Sequence, residues 1–251
     1  IIGTANVHES LKNLKKKCTS IIITSDKCYL NVEKKEGYKE TDILGGKDPY
    51  SASKASAELI IYSYNKTFFL KKKNINYCSV RAGNVIGGGD WSSNRLVPDL
   101  IRAWSKNKRV KIRNMNSTRP WQHVLDAVGA YIYLGYISHK TKRFSGSSFN
   151  FGPSSNKVFK TRDVIFNLSK KLNRKIKLNL SSKKFKESGL LKLNCSKAKK
   201  ELGWKSVLNF SETIAWTASW YEKYYNQPKD IPGFTEKQIK EYMSHFQKKI
   251  K

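Results

Sequence analysis

The sequence has no apolar run near the roughly 20 residues that a bilayer-spanning helix needs, and its first ten residues hold neither a basic leader nor a long apolar stretch. A soluble, cytoplasmic protein without a membrane partner is expected. Cysteine is scarce. Cys18, Cys28, Cys78 and Cys195 form no close pair and no C-x-x-C, which argues against a disulfide framework and a zinc site, so no metal is expected. Acidic residues are also few, 19 against 49 Lys and Arg, for a formal charge of +30. Such an excess raises the question of nucleic acid. Only nine of the basic residues are Arg, however, and Arg is the side chain suited to bidentate phosphate and base contacts. The lysines are scattered, as in Lys15–Lys17, Lys71–Lys73, Lys183–Lys186 and Lys248–Lys251, without a recurring aromatic partner. They read as solvated faces, and no nucleic-acid partner is expected. The chain also lacks G-x-G-x-x-G or G-x-x-G-x-x-G after a strand, the turn that seats a dinucleotide pyrophosphate on a helix N-terminus. Gly83, Gly87, Gly88 and Gly89 do not fit that spacing.

What is present suffices for a sizeable core: 251 residues, 39% hydrophobic and 12% aromatic, enough for one large domain or two small ones. Val7 to Lys17 has helical spacing and ends in lysines, which suit the negative end of a helix dipole. Ser20 to Thr24 is a short β-branched run, the pattern of a parallel strand covered on both faces, and Ser25-Asp26-Lys27 follows at its end. In open α/β sheets the carboxyl ends of the strands line the ligand crevice, so polar groups there are placed for chemistry. Asn31 to Lys47 reads as a loop. Asp48-Pro49 then opens a helix, with Asp at the cap and Pro in the first turn, running to about Leu70. Tyr77 to Val80 is the next strand, and Arg81 to Asp90 a glycine-containing loop that lets backbone approach a ligand. Strand, helix and strand make a βαβ unit and imply a parallel sheet. Beyond Trp91 the texture turns to short helices and loops, with a further strand at Ser148–Phe151 and helical spacing from Thr213 to Tyr221.

Tyr50 and Lys54 are four apart, which puts them on one face of that helix about one turn from each other. A phenol with a pKa of roughly 10 is a poor base at neutral pH, and a neighbouring ammonium favours the phenolate. A bare Tyr-x-x-x-Lys is weak evidence. Here it stands in Asp48-Pro49-Tyr50-Ser51-Ala52-Ser53-Lys54-Ala55, with Thr24-Ser25-Asp26-Lys27 upstream at a strand end.

That combination resembles the extended short-chain dehydrogenase/reductase family of NAD-dependent epimerases and dehydratases. The Ser-Asp-Lys form, with Gly45 to Tyr50, Arg81 to Trp91 and Arg119 to Val124, looks like the branch of nucleotide-sugar 4,6-dehydratases that acts on CDP-glucose. The likeness continues through Asn150 to Pro153, Leu202 to Trp204 and Trp220-Tyr221. It implies an α/β fold, an incomplete Rossmann-like doubly wound parallel sheet with its N-terminal strands missing, plus a smaller, mixed α/β C-terminal substrate domain. Residues 1–92, with a returning segment at about 124–155, would form the C-terminal part of the NAD-binding domain. Residues 93–123 and 156–251 would bind the nucleotide sugar.

The resemblance further implies catalytic residues Ser25, Asp26, Lys27, Tyr50 and Lys54, NAD as cofactor contacted by Tyr50, Lys54, Ala82 and Val85, and substrate contacts from Asn84, Arg95 and Arg119. Tyr50, assisted by Lys54 and Ser25, would take the 4-hydroxyl proton as hydride leaves C4. A base would then remove the C5 proton, Asp26 would protonate the departing 6-hydroxyl, and hydride would return to C6. Two roles stay open for Lys27. It could be the C5 base if its pKa falls from the reference value of roughly 10.4, or it could orient substrate or pair with Asp26. Asn84 also reads as a turn residue, Arg119 as a surface ion pair, Arg95 as simply exposed, and Trp91 and Trp121 as pocket wall or core. His123, without a positioned partner, is left outside the catalytic set.

Family members are usually dimers built on two helices, one of them the Tyr50 helix, so a homodimer is expected of the full-length protein. The chain starts at Ile1 without Met, and the glycine-rich half would precede it. By itself this polypeptide is then expected to bind NAD weakly, to be inactive, and to expose an apolar strand edge. Another nucleotide-sugar dehydratase or epimerase activity, and a non-catalytic binding protein, are the competing readings. Asp26-Lys27 favours dehydration over epimerisation, which has no leaving hydroxyl to protonate.

Overall fold

The computed structural model describes residues 1–155, 157–174, 177–180 and 189–250. The basic stretch Lys183–Lys186 and Lys251 lie outside the described residues. In chain order the first elements are α1 (Ile2–Lys12), β1 (Cys18–Ile23), α2 (Pro49–Tyr64), β2 (Ile75–Ala82) and β3 (Val85–Ile86). Then come α3 (Leu96–Ser105), β4 (Val110–Ile112), β5 (Thr118–Arg119), β6 (Gln122–His123), α4 (Val124–Lys140) and β7 (Ser148–Phe151). The chain ends with β8 (Phe159–Lys160), α5 (Thr161–Lys171), β9 (Leu178–Leu180), α6 (Ser196–Leu202), α7 (Phe210–Asn226) and α8 (Ile231–Ile250). Among the described residues no helix is long and apolar enough to cross a membrane. Two compact units result. One comprises Ile1–Gly83, Ala127–Gly152 and Lys192–Trp204, the other Asn84–Asp126, Pro153–Leu191 and Lys205–Lys251.

The first unit is built on a parallel sheet in the order β1-β2-β7. Its central strand, β2, is buried along its whole length and sorts its side chains by parity. Ile75 and Tyr77 pack with Leu11 of α1 and Ile61 of α2 on one face. Asn76 and Cys78 point the other way, where the Asn76 amide donates to the Ser138 carbonyl at 2.6 Å and the Cys78 thiol lies 3.6 Å from the Ser138 hydroxyl, both on α4. Helices therefore cover both faces, the doubly wound arrangement of an α/β fold.

One local expectation changes, and the expected exposed strand edge is found on β1. The first helix spans Ile2–Lys12 rather than starting at Val7 and reaching Lys17. The Asn74 amide donates to the carbonyls of Leu14 and Lys15, at 2.7 and 3.1 Å, and so satisfies backbone groups that a longer helix would have bonded internally. The lysine run then serves as the approach to β1. That strand itself is only half-buried, with Ile23 57% exposed, because among the described residues it is the edge of the sheet and pairs with β2 alone. The apolar pattern marked its chemistry correctly, but the number of neighbours sets its burial.

In the second unit three short strand pairs, β3 with β6, β4 with β9 and β5 with β8, accompany α3, α5 and α7 around a core that includes Leu100, Trp121, Ile165, Leu168 and Tyr221. Helix α7 starts on a reciprocal cap in which Asn209 and Glu212 each bond the other's backbone N–H. Asp126, near the start of α4, accepts from the Val207 and Leu208 N–H groups at 2.6 and 3.2 Å and from the Tyr242 hydroxyl of α8 at 3.0 Å. Burial pushes its carboxyl up to about 6 against these donors. The glycine run after β3 has a structural use. A Cβ on Gly88 would lie 2.0 Å from Cγ of Trp220, and one on Gly87 would lie 2.5 Å from Cγ1 of Val124, so both glycines admit neighbouring side chains of their own unit. Gly88→Ala is therefore expected to lower stability by about 2–3 kcal/mol through overpacking, read from the midpoint of urea unfolding.

Candidate active site

The candidate catalytic residues lie in the first unit, where β1 ends and α2 begins. Ser25 caps a short 3-10 turn, Asp26–Cys28, its hydroxyl oxygen accepting from the Lys27 N–H at 3.2 Å. The same hydroxyl donates to Oδ1 of Asp26 at 3.0 Å. Ser25 and Asp26 are buried and Lys27 is half-buried, so the three consecutive polar side chains of the motif occupy different environments. Asp26 also lies close enough to Tyr131 of α4 for its charge to raise that phenol, whose pKa burial already lifts, to about 12 together.

Helix α2 opens as the sequence implies. The Asp48 carboxylate accepts from the Ser51 N–H at 3.0 Å and the Ser51 hydroxyl at 2.6 Å, and Pro49 occupies the first turn. These bonds, with the positive charge of Lys27 as a smaller contribution, hold Asp48 below the usual carboxylate range. The charge of Lys27 thus reaches the start of α2. Gly46 permits the close approach there: a Cβ on it would lie 2.2 Å from the Ala52 N atom. On the helix, Tyr50 is 54% exposed and Lys54 half-buried, with the ammonium 5.7 Å from the phenol ring centre. The two sequence segments, 24 to 27 and 48 to 54, are thereby brought to one place. A carboxyl, an ammonium and a hydroxyl at a strand end, beside an exposed phenol with its own ammonium, can move protons onto and off a bound polyol.

Beneath this surface is a polar cluster that sequence reasoning missed. Glu58, 2% exposed, pairs with Arg81, 3% exposed, at 2.7 Å from Nη2. Its carboxylate also accepts from the Thr24 hydroxyl and, at 2.9 Å, from the Ser79 hydroxyl. Nη1 of Arg81 donates to the Tyr29 hydroxyl at 2.9 Å and the Glu40 carbonyl at 3.0 Å, and Tyr29 in turn donates to Asn150 at 2.7 Å. Burial opposes ionisation of Glu58, but Arg81, Thr24 and Ser79 outweigh it and hold the carboxyl below its ordinary value. The signal in the sequence was Glu58 at four residues past Lys54, on a stretch otherwise made of small and apolar side chains.

Ala82 ends β2 and pairs with Phe151. In the second unit Val85 stands in β3 opposite Gln122, and the Asn84 carbonyl accepts from the Gln122 N–H at 3.0 Å. Arg95 is exposed at the cap position of α3. Arg119, half-buried in β5, donates from Nη1 to its neighbour's carbonyl at 2.8 Å. Trp121 is core and donates to the Phe159 carbonyl at 3.2 Å. Trp91 leans on Tyr221 and Tyr224, with ring centres 5.3 and 4.9 Å away. His123 is buried, accepts from the Leu125 N–H at 3.2 Å, and burial lowers it to about 4. It is a neutral structural histidine.

With the geometry in hand, the class is plain: a parallel α/β unit with a Tyr–Lys helix at its strand ends is the fold of Rossmann-type nucleotide-sugar epimerases and dehydratases. Solved structures match it. The UDP-glucuronic acid 4-epimerase of Bacillus cereus, in complex with UDP-glucuronic acid and NAD, superposes with a TM-score of 0.76 at 21% identity, over 90% of this chain and 68% of that one. The dTDP-glucose 4,6-dehydratase of Bacillus anthracis, in complex with NAD, gives 0.72 at 22%, over 91% and 68%. The chain belongs to the GDP-mannose 4,6 dehydratase family, whose model matches residues 1–217. Among curated relatives, the CDP-glucose 4,6-dehydratase of Salmonella typhimurium is 35% identical over 249 residues, 97% of this chain and 69% of the relative. The dTDP-D-glucose 4,6-dehydratase of Dictyostelium discoideum is 30% identical over 142 residues, 52% of this chain and 31% of the relative.

Glu58 gives the unit a definite pH response. A carboxyl held below its unfolded value stabilises the fold fully above roughly pH 4.3, and that contribution is lost as pH falls. Glu58→Gln, which leaves Arg81 buried without its counter-charge, should cost about 3 kcal/mol or more at pH 7. It should also flatten the decline in the urea midpoint between about pH 6 and 3, relative to the parent protein.

Proposed function

We propose that the polypeptide carrying these residues catalyses the NAD-dependent dehydration of CDP-glucose to CDP-4-dehydro-6-deoxyglucose, a hydro-lyase reaction. The supporting observation is the Ser25-Asp26-Lys27 turn, drawn up beside the Tyr50–Lys54 face, in a chain 35% identical to a CDP-glucose 4,6-dehydratase across nearly its whole length. The exposed phenol and its ammonium suit the nicotinamide end of NAD, a cofactor that would accept hydride from the sugar and return it. Tyr50 and Lys54, with Ala82 and Val85 at the ends of β2 and in β3, are assigned to that contact. Asn84, Arg95 and Arg119 are assigned to the sugar nucleotide, the arginines suiting a diphosphate.

Tyr50 removes the proton of the 4-hydroxyl, with Lys54 favouring the phenolate and Ser25 orienting the sugar. The 4-ketone acidifies the C5 hydrogen, and Lys27 as the neutral amine takes it and gives it back to C5 once hydride has reached C6. Asp26 delivers a proton to the departing 6-hydroxyl, which leaves as water. Asp26, buried with Ser25 at the strand end and within hydrogen-bond reach of it, is the carboxyl assigned to the leaving group. In assembly, the outer faces of α1 and α2, which expose Val7, Leu59 and Tyr62, support a homodimer packed through these helices.

The test is incubation with NAD and CDP-, dTDP-, GDP- or UDP-glucose, followed by the alkali-induced absorbance of 4-keto sugars. CDP-glucose is expected to turn over fastest, and equal or greater turnover of another sugar would overturn the nucleotide assignment. Tyr50→Phe should lower kcat by about 10³-fold. Lys27→Ala should block elimination, and a full elimination rate in that variant would remove Lys27 from the base role.

A further inference from the structure

The bonds around Glu58 do more than fill a polar pocket. Its two carboxylate oxygens serve different strands. Oε2 takes the β2 partners, Arg81 at 2.7 Å and Ser79 at 2.9 Å, whereas Oε1 takes the Thr24 hydroxyl. Thr24 is joined directly to Ser25, and its own N–H donates to the Val80 carbonyl at 2.9 Å, continuing the β1–β2 ladder by one residue. On α2, Glu58 lies one turn beyond Lys54 and two beyond Tyr50. One carboxylate therefore links the strand end that carries Ser25 to the helix that carries Tyr50.

That link has work to do because the nearby packing is smooth. The buried residues of α2 closest in sequence to Tyr50 are Ser51 and Ala55, and Gly46 lies against the helix backbone. Small side chains allow close approach but interlock little, so sliding along the helix axis has to be resisted by directional bonds. A displacement of about 1 Å between a catalytic group and its target can cost on the order of 100-fold in rate.

We propose that Glu58 is a positioning residue that, through Thr24, holds the Ser25 strand end in register with the Tyr50–Lys54 face of α2. The inference rests on the dehydratase reading above. Glu58 and Thr24 touch neither sugar nor cofactor in this scheme; they act on where Ser25 and Tyr50 stand.

Thr24→Val and Thr24→Ser separate this role from general stability. Valine keeps the volume and removes the hydroxyl, leaving the Glu58–Arg81 pair in place, whereas serine keeps the hydroxyl. In the natural polypeptide with NAD, Thr24→Val is expected to lower kcat for CDP-glucose by about 10-fold or more with KM within about twofold. Backbone hydrogen–deuterium exchange over residues 49 to 55 should rise several-fold in the same variant. Thr24→Ser should return both readouts to near the parent values. An unchanged kcat and unchanged exchange in Thr24→Val, or a Thr24→Ser variant as impaired as the valine one, would overturn the proposal, whatever the melting temperatures. If the parent protein dehydrates none of the four sugars, the functional reading fails and exchange alone decides: a rise with valine but not serine supports the positioning role, and no rise overturns it.

Discussion

The first unit depends on a buried ion pair, Glu58 with Arg81, and on the hydrogen bonds that make the pair tolerable. Taking two charges out of water costs several kcal/mol per ion, and their attraction alone does not reliably repay it. Here most of the remaining capacity is used, Nε of Arg81 being the buried donor left without a hydrogen bond. Thr24, Ser79 and Ser148 hydroxyls serve the carboxylate side, and the Tyr29 hydroxyl and Glu40 carbonyl serve the guanidinium. These partners come from β1's end, β2, β7 and the segment after β1. A greasy replacement could fill the volume, but it could not dictate which strand end faces which helix turn. The pair is better understood as a specifier of arrangement than as a source of stability.

That arrangement explains the contrast within the site. Asp26 is buried beside Ser25, whereas Tyr50 stands open to solvent on its helix. A buried carboxyl and an exposed phenol thus stand in different environments within one site, the phenol being the one open to a ligand. The small residues at Gly46, Ser51 and Ala55 let the strand end and the helix approach; the polar cluster below keeps that approach in register. In the second unit Gly87 and Gly88 likewise allow close approach, making room for Val124 and Trp220.

Much of this was legible in the chain because it is local. Asp48-Pro49 predicts a helix start, since capping and a fixed φ act within a few residues, and Asp48 does bond Ser51. The strands at Tyr77 and Ser148 announce themselves by apolar and β-forming residues, and Gly203 ends α6 in the left-handed conformation that glycine takes freely. The errors were of another kind. The first helix stops at Lys12 because Asn74, 60 residues away in the chain, bonds the carbonyl of Leu14. β1 carries the apolar pattern of a covered strand, but it is half-exposed at the sheet edge, as the expected apolar strand edge has it, since burial depends on neighbours that a strand's own residues do not name. Glu58, Tyr131 and Asp126 went unremarked, and Arg81 was read as the start of a loop rather than as a buried residue of β2, for the same reason: each acquires its meaning from partners in other segments.

The order of residues determined which polar groups neighbour one another along the chain: Ser25, Asp26 and Lys27 at a strand end, and Tyr50 and Lys54 one helical turn apart. Spacing along a single strand or helix is set by backbone geometry, so it can be read without the fold. The tertiary structure decided which of these groups are buried, that Lys27's charge reaches the cap of α2, and that Thr24 and Arg81 share one carboxylate. Those facts are non-local, because burial and pairing are properties of surfaces brought together from distant segments.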